Sequence, residues 1–250
     1  MKRARIFHAG SDWWAVVSED GSTLKLPTGE QIRAEDANWL APVAPGASAY
    51  ALGLNYADHN KELGFAPKLP TPLIFLKGGN AFVGHCGTTV RPADANQMHP
   101  ECELVAIIGK PARRVSAADA LDYVSGYTIA NDYAIREYLE NYLRPNARVK
   151  NRDATTALGP WVVDAADVAD PQALRLSTRV NGVEVQHGST ADMILSVAGL
   201  IEYLSSFLTL MPGDIILTGT PHGVHFCDAG DEVTCKIEHI GTLTNRLVSA

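Results

Sequence analysis

Glu101 and Glu103 stand two residues apart in the segment His99-Pro100-Glu101-Cys102-Glu103-Leu104-Val105. Side chains alternate across a strand, so the two carboxylates point the same way and Cys102 points to the opposite face. Two adjacent carboxylates repel one another, and a hard divalent cation with oxygen ligands relieves that repulsion. The apolar run that follows, through Ile108, carries the strand straight into the core. A third carboxylate, Asp132, ends the strand-like run Tyr127-Thr128-Ile129-Ala130-Asn131. Glu101, Glu103 and Asp132 are therefore candidate ligands for Mg²⁺, with Mn²⁺ as the alternative. The competing reading of an isolated Glu-x-Glu is a solvated pair at a strand end.

Three further features carry possible chemistry. His59 and Glu62 are three residues apart, on one face if Asn55-Tyr56-Ala57-Asp58-His59-Asn60-Lys61-Glu62 is helical. A carboxylate beside an imidazole orients it and raises its pKa, which suits a general base. Glycines at 53 and 64 bracket the segment, as they would a mobile lid. The second feature is a basic stretch: Arg136, Arg144, Arg148, Lys150 and Arg152 lie in one span against only Glu137 and Glu140, in a chain of formal net charge -7. Arginine grips carboxylates through paired hydrogen bonds, which points to a substrate with more than one carboxylate; a solvated helix face is the plain alternative. The third is Thr218-Gly219-Thr220-Pro221-His222-Gly223, whose amides and hydroxyls at a strand end could bind a carboxylate, or simply turn the chain.

Elements to hold these residues can be read from the 250-residue chain, 46% of it apolar and 20% charged. Trp13-Trp14-Ala15-Val16-Val17 reads as a strand and Glu19-Asp20-Gly21-Ser22 as a turn, and Pro42, Pro45 and Gly46 mark a boundary. The expected organisation is a small β domain over 1–45 and a main domain over 46–250. Leu73-Ile74-Phe75-Leu76 is of buried-strand length, and Ser116 with Asp119 resembles a capping box opening a short helix through Tyr123. Val197, Leu200, Ile201, Leu204, Phe207 and Leu208 fall on one helical face, and Pro212-Gly213-Asp214 turns the chain into Ile215-Ile216-Leu217. Without regular βα alternation, the expected class is mostly β, or α+β, and not a doubly wound or barrel α/β fold.

The negative charge argues against nucleic acid as a partner. No run approaches the ~20 apolar residues that span a bilayer, and the basic start lacks an apolar run of signal-peptide length. Cys86, Cys102, Cys227 and Cys235 are scattered, which suggests neither zinc nor a disulfide scaffold but reduced thiols in the cytoplasm. G-x-S-x-G, H-E-x-x-H, Walker and G-x-G-x-x-G motifs are all absent.

Taken together the chain resembles the fumarylacetoacetate hydrolase superfamily. The resemblance is carried by Gly53-Leu54-Asn55-Tyr56-Ala57-Asp58-His59, Phe75-Leu76-Lys77, Glu101-Cys102-Glu103-Leu104, Tyr123-Val124-Ser125-Gly126-Tyr127, Asn131-Asp132, Pro212 through Pro221, and Gly230-Asp231-Glu232-Val233. Within it, Asn131 to Tyr142, Arg144-Pro145-Asn146 and Val149 to Asp153 are similar to the homoprotocatechuate-pathway isomerase/decarboxylase branch. The resemblance implies layered β-sheets with peripheral helices, a small N-terminal β module, and a homodimer. It implies Glu101, Glu103 and Asp132 as metal ligands, His59 and Glu62 as a lid acid–base pair, and Lys150 as the cation beside a developing enolate. Thr220, Lys77 and Arg136 become substrate contacts. The implied activity is decarboxylation or isomerisation of a multiply carboxylated 2-oxo acid in aromatic catabolism. The alternatives are a hydrolase of acylpyruvates or related diketones, an oxaloacetate decarboxylase, and a non-catalytic metal-binding scaffold. Acylpyruvate-cleaving relatives place a glutamine where this chain has Leu139, which favours the first reading.

Overall fold

A computed structural model describes residues 1–66, 71–139 and 147–250. Most of the described chain is strand. A twelve-stranded sheet runs in the order Gln31–Arg33, Thr23–Lys25, Ser11–Val17, Lys2–His8, Thr156–Asp164, Val124–Asp132, Cys102–Ile108, Ile215–Leu217, Ala49–Gly53, Leu73–Lys77, with Asn38–Leu40 and Phe82–Val83 as side branches. A five-stranded sheet, Val183–Ser189, Arg175–Val180, Glu232–Ile237, Gly241–Ser249, Thr88–Arg91, packs against it. This is the mostly β, layered arrangement that the family resemblance implied, without regular βα alternation. No helix among the described residues is long and apolar enough to cross a membrane. The four cysteines are free, and three of them are buried.

Strand alternation divides the core. In Cys102–Ile108 every residue is buried, but the two faces serve different clusters. Cys102, Leu104, Ala106 and Ile108 face the second sheet and the helix Val197–Phe207. Val105 and Ile107 face a second cluster with Ala130, Leu158 and Leu217. Glu101 and Glu103 share that second face, at its polar end.

The large sheet is rolled. From Val124–Asp132 to Leu73–Lys77 is four inter-strand spacings, about 19 Å if flat. Yet Lys77 Nζ lies 2.5 Å from Asp132 Oδ1. The curl brings the edge strand back over the carboxylate face and closes the site from behind.

The first forty residues contribute five short strands with their own apolar cluster, including Ile6, Leu24 and Trp39. They are not a separate sheet, because Lys2 and Arg3 pair with Val163 and Val162 of the central strand Thr156–Asp164.

Three local expectations need correcting. Leu73-Ile74-Phe75-Leu76 forms a strand, but at the sheet edge, with Leu76 63% exposed, because only Ala49–Gly53 flanks it. Ser116 does not cap a helix amide: its hydroxyl donates to the Asp119 carboxylate at 2.7 Å, and the turn that follows, Ala120–Tyr123, is 3₁₀. The helix Val197–Phe207 buries Val197, Leu200, Ile201 and Leu204, but Phe207 is largely exposed at its C-terminal end, with the Tyr203 ring one turn back against it. Its N-cap is Ser196, whose hydroxyl accepts from Gly199 N at 3.1 Å.

Candidate active site and metal centre

Register assembles the three carboxylates. Cys102 pairs with Asn131 and Glu103 with Ala130, and Asp132 N donates to Glu101 O at 2.9 Å. Glu101 is thus directly opposite Asp132, and Glu103 is diagonal to it on the same face. A one-residue slip would send Asp132 to the apolar side. One oxygen from each of the three lies within 4.8 Å of the others, and all three residues are buried. Thr156, opposite Asp132 on the other neighbouring strand, donates to Asp132 Oδ1 at 3.0 Å.

The electrostatics differ from one carboxylate to the next. Burial works to raise the Glu101 carboxyl, but Lys150, His99 and Arg136 outweigh it and hold it at about 2. Burial, Asp132 and Glu101 push Glu103 well above the usual carboxylate range, and its one described donor is Gly219 N at 2.7 Å. Asp132 Oδ2 lies 3.2 Å from Lys150 Nζ but out of line for a hydrogen bond, so this fully buried oxygen has no donor among the described residues. Buried carboxylate oxygens without donors are what a divalent cation satisfies, and the donor set is all oxygen, as Mg²⁺ or Mn²⁺ requires.

Lys150 and Lys77 flank the trio differently. Burial opposes the charge on Lys150, but Asp132, Glu101 and Glu103 outweigh it, so the ammonium stays protonated. Its Nζ bonds to Glu101 Oε2 and, at 2.8 Å, to Asp132 O, and it reaches the cavity wall. Lys77, expected to touch substrate, lies away from the cavity surface. Its ammonium is fully covered, held by Asp132 Oδ1 and the Lys150 carbonyl on the far side of the cluster, and it does not line the cavity. Replacing Lys77 with methionine keeps the bulk but leaves Asp132 short of a buried cation. The metal-free variant is expected to lose about 3 kcal/mol or more of unfolding free energy. A denaturation midpoint equal to the wild type would show that the pair contributes no net stability.

The cavity beside the cluster opens to solvent. Glu101, Lys150, Arg136, His59 and Thr220 form its polar side, and Leu52, Leu54, Leu63, Phe65, Phe75, Leu139 and Val149 are among its apolar walls. The helix Ala57–Glu62 makes one wall, as the His59–Glu62 spacing anticipates: His59 Nδ1 lies 3.1 Å from Glu62 Oε2. The expected rise in the His59 pKa does not occur. Burial lowers it, and the raising influence of Glu101 and Glu62 does not compensate. Leu54, at φ 60, and Asn55 set the launch of this helix. The Asn55 amide donates to Leu195 O at 3.0 Å and Thr218 O at 2.9 Å and accepts from Leu195 N at 2.9 Å.

Thr218 to Gly223 does bind carboxylates, but they are the chain's own. Gly219 N serves Glu103, and the amides of Gly223 and Val224 donate to Glu62 at 2.9–3.2 Å. Burial works against the Glu62 charge, but the Val224 and Gly223 amides with His59 hold its carboxyl below the usual range. Thr220 lines the cavity, with its hydroxyl proton donated to Cys102 O at 3.0 Å while it accepts from Gln186 Nε2 at 3.0 Å. In this arrangement the hydroxyl's proton is engaged by the chain's own backbone.

The basic segment divides. Arg136 lines the cavity, its Nε donating to His99 Nε2 at 2.9 Å and its Nη2 3.7 Å from Glu101 Oε1. Arg144 lies outside the described residues. Arg148 is exposed over the Tyr138 ring, 4.2 Å from its centroid, and is not in the cavity wall. The reason is helical: Arg148 and Lys150 are two residues apart in Ala147–Lys150, roughly 200° around the axis, so burying Lys150 turns Arg148 outward.

His99, Asn55 and Gln186 are residues the sequence reading did not assign. His99 is fully buried, and burial drops its pKa to about 3, so the neutral ring accepts from Arg136. Its position two residues before Glu101 was the available signal; for Gln186 there was none.

Comparison with known proteins yields related sequences and structures. Residues 48–248 match the profile of the fumarylacetoacetate hydrolase C-terminal region. The chain is 54% identical over 207 residues to the 4-hydroxyphenylacetate degradation bifunctional isomerase/decarboxylase of Salmonella dublin, covering 83% of this chain and 48% of that protein. The chain thus spans about half the length of that curated relative. The structure matches a 5-carboxymethyl-2-hydroxymuconate delta-isomerase from Mycobacterium smegmatis with TM-score 0.87 and 36% identity, covering 100% of this chain and 99% of the other. It also matches a fumarylpyruvate hydrolase from Pseudomonas aeruginosa, solved with Mn²⁺ and pyruvate, with TM-score 0.77 and 31% identity over 84% of this chain and 96% of the other.

Proposed function

This chain belongs to the fumarylacetoacetate hydrolase family, and from that premise we propose that it decarboxylates or isomerises a small 2-oxo acid bearing a further carboxylate. The observation that carries the reading is a cluster of three buried carboxylates that adjoins, through Glu101, a cavity whose polar side also carries Lys150, Arg136 and His59. Glu101, Glu103 and Asp132 would hold Mg²⁺ or Mn²⁺, which when bound supplies a Lewis acid for the 2-oxo acid head. Lys150, kept protonated, places positive charge where the keto oxygen becomes negative as carbon dioxide or a proton departs. His59 is neutral, and Glu62 engages Nδ1, so Nε2 is the nitrogen left to take or return the proton that completes tautomerisation. Arg136, anchored on His99, receives the distal carboxylate.

Hydrolysis shares the enolate but needs an activated water. Leu139 stands in the wall with no group to hold one, which supports isomerisation or decarboxylation over carbon–carbon hydrolysis. The substrates to try are 5-oxopent-3-ene-1,2,5-tricarboxylate and 2-hydroxyhepta-2,4-diene-1,7-dioate, with acetylpyruvate as the monocarboxylate control.

A charge-assisted contact to a desolvated carboxylate is worth about 1.5–3 kcal/mol, so Arg136→Ala should cut kcat/KM on the polycarboxylate roughly tenfold or more. It should cost far less on acetylpyruvate. Arg148→Ala should stay within about threefold of wild type on both, since removing a surface stacking contact is a small perturbation. Equal efficiency of the unmodified enzyme on mono- and polycarboxylates would reject the substrate class and favour an acylpyruvate hydrolase.

A further inference from the structure

Gln186 takes no part in the chemistry above, yet it touches both the strand between Glu101 and Glu103 and the turn that leads to Glu62. It is a buried amide, 3% exposed, on the strand Val183–Ser189 of the second sheet. Oε1 accepts from Thr178 Oγ1 at 2.7 Å and, more weakly, from Cys102 N at 3.4 Å. Nε2 donates to Thr220 Oγ1 at 3.0 Å and to Pro221 O at 2.9 Å. The orientation is forced: Cys102 N–H can only donate and the Pro221 carbonyl can only accept, so a flipped amide would break both contacts.

The partners are not scattered. Cys102 sits between Glu101 and Glu103 on the strand that carries the carboxylates. Thr220 is in the cavity wall. Pro221 begins the turn whose Gly223 and Val224 amides hold the Glu62 carboxylate, and Glu62 in turn holds His59 Nδ1. The turn also rests on Gln186 directly. Gly223 has φ +119, and a Cβ there would stand 3.0 Å from Gln186 Cα and Cβ and from Val185 O. Only glycine meets both the backbone conformation and the close approach.

We propose that Gln186 is a positioning residue that sets the Pro221–Val224 turn, and through it the helix Ala57–Glu62 and His59, against the strand bearing Glu101 and Glu103. A four-bonded buried amide has one stable placement, because any shift leaves a desolvated donor or acceptor unpaired. Position is passed on through a short path: Gln186 to Pro221 and Gly223, the Gly223 and Val224 amides to Glu62, and Glu62 to His59. The catalytic meaning rests on His59–Glu62 being the acid–base pair, but the mechanical claim can be tested without a substrate.

The test is amide hydrogen exchange on the full chain, comparing wild type with Gln186→Leu and Gly223→Ala. Asn60, Leu63 and Phe65 N–H bond to Tyr56 O, His59 O and Asn60 O and report on the helix. Both variants should speed exchange at these amides about tenfold or more, the effect of losing one to two hydrogen bonds from the latch. Amides that pair Glu232–Ile237 with Gly241–Ser249, in the same sheet but away from Gln186, should keep their wild-type rates. Unchanged helix exchange overturns the proposal. So does an equal acceleration throughout the second sheet, the mark of general loosening. Should Gln186→Leu not fold, Gln186→Asn decides in its place, since it keeps a buried amide but draws it back from Thr220 and Pro221, and unchanged helix exchange there overturns the proposal equally. Where turnover is measurable, Gln186→Leu should cost little more in a His59→Ala background than His59→Ala alone, because both act through the same imidazole. Additive losses would assign Gln186 a purely structural part, whatever the substrate proves to be.

Discussion

Glu103→Gln is expected to lower kcat/KM by roughly 10³-fold or more while leaving the protein folded, the scale on which removing a site's charge stabilisation is felt. The substitution is chosen for what it keeps. Glutamine preserves the shape and can still accept from Gly219 N, so the change is confined to the charge. Glu103 also bears the strongest repulsion, since burial, Asp132 and Glu101 all push its carboxyl up. In metal-free protein the variant therefore relieves strain, and its melting temperature should equal or exceed that of the wild type. With the cation the order reverses. A ligand at 100 times its Kd stabilises the folded state by about 2.7 kcal/mol, so Mg²⁺ or Mn²⁺ should raise the wild-type melting temperature and not the variant's. Full activity in Glu103→Gln, or in thoroughly chelated wild type, would remove the metal from the mechanism.

His59→Ala should slow turnover by roughly 10²–10⁴-fold, the usual contribution of a positioned general acid–base group. Metal affinity, read by the same melting shift, should be unchanged, because His59 is not among the three ligands. The pH profile separates this role from a surface one. Burial, then opposed by Glu101 and Glu62, leaves the His59 pKa below its ordinary 6.5. The base form is thus complete at neutral pH, and the acid limb of kcat/KM should fall below pH 6.5. The sign for stability is the same: a depressed folded-state pKa contributes above 6.5 and is lost as the pH drops through the lower folded value. Glu62→Gln removes an influence that raises the His59 pKa, so it should move the acid limb further down while reducing the rate. An acid limb moving upward in Glu62→Gln, or near-wild-type turnover in His59→Ala, would take the pair out of the chemistry.

Much of the site was legible because its signals are local. Strand alternation alone puts Glu101 and Glu103 on one face, and helical spacing alone brings His59 to Glu62. Each depends on a backbone period of a few residues that needs no distant partner. The mostly β class followed from the same kind of pattern, and the family from motifs spread in order from about residue 50 onward.

What the sequence could not decide was whatever depends on how far the sheet curls and which way a side chain is left facing once its neighbours are buried. Asp132 joins the trio through its register with Glu101, a choice made between two strands and not within either. Lys77 looked like a substrate contact, but the roll of the sheet carries it behind Asp132. Arg148 looked equivalent to Arg136 by charge, yet it lies about half a turn from the buried Lys150 and is left outside on Tyr138. The pKa of His59 moved opposite to expectation because spacing shows the partner carboxylate and not the desolvation that outweighs it. Gln186 was silent for the same reason: its four partners come from Thr178, Cys102, Thr220 and Pro221, and only packing one sheet on the other brings them to a single amide. The sequence by itself determined which groups were available and their local pairing. The tertiary structure decided their exposure and their distant neighbours, because burial and long-range contact come from how the layers close on one another and not from the order of residues within any one strand.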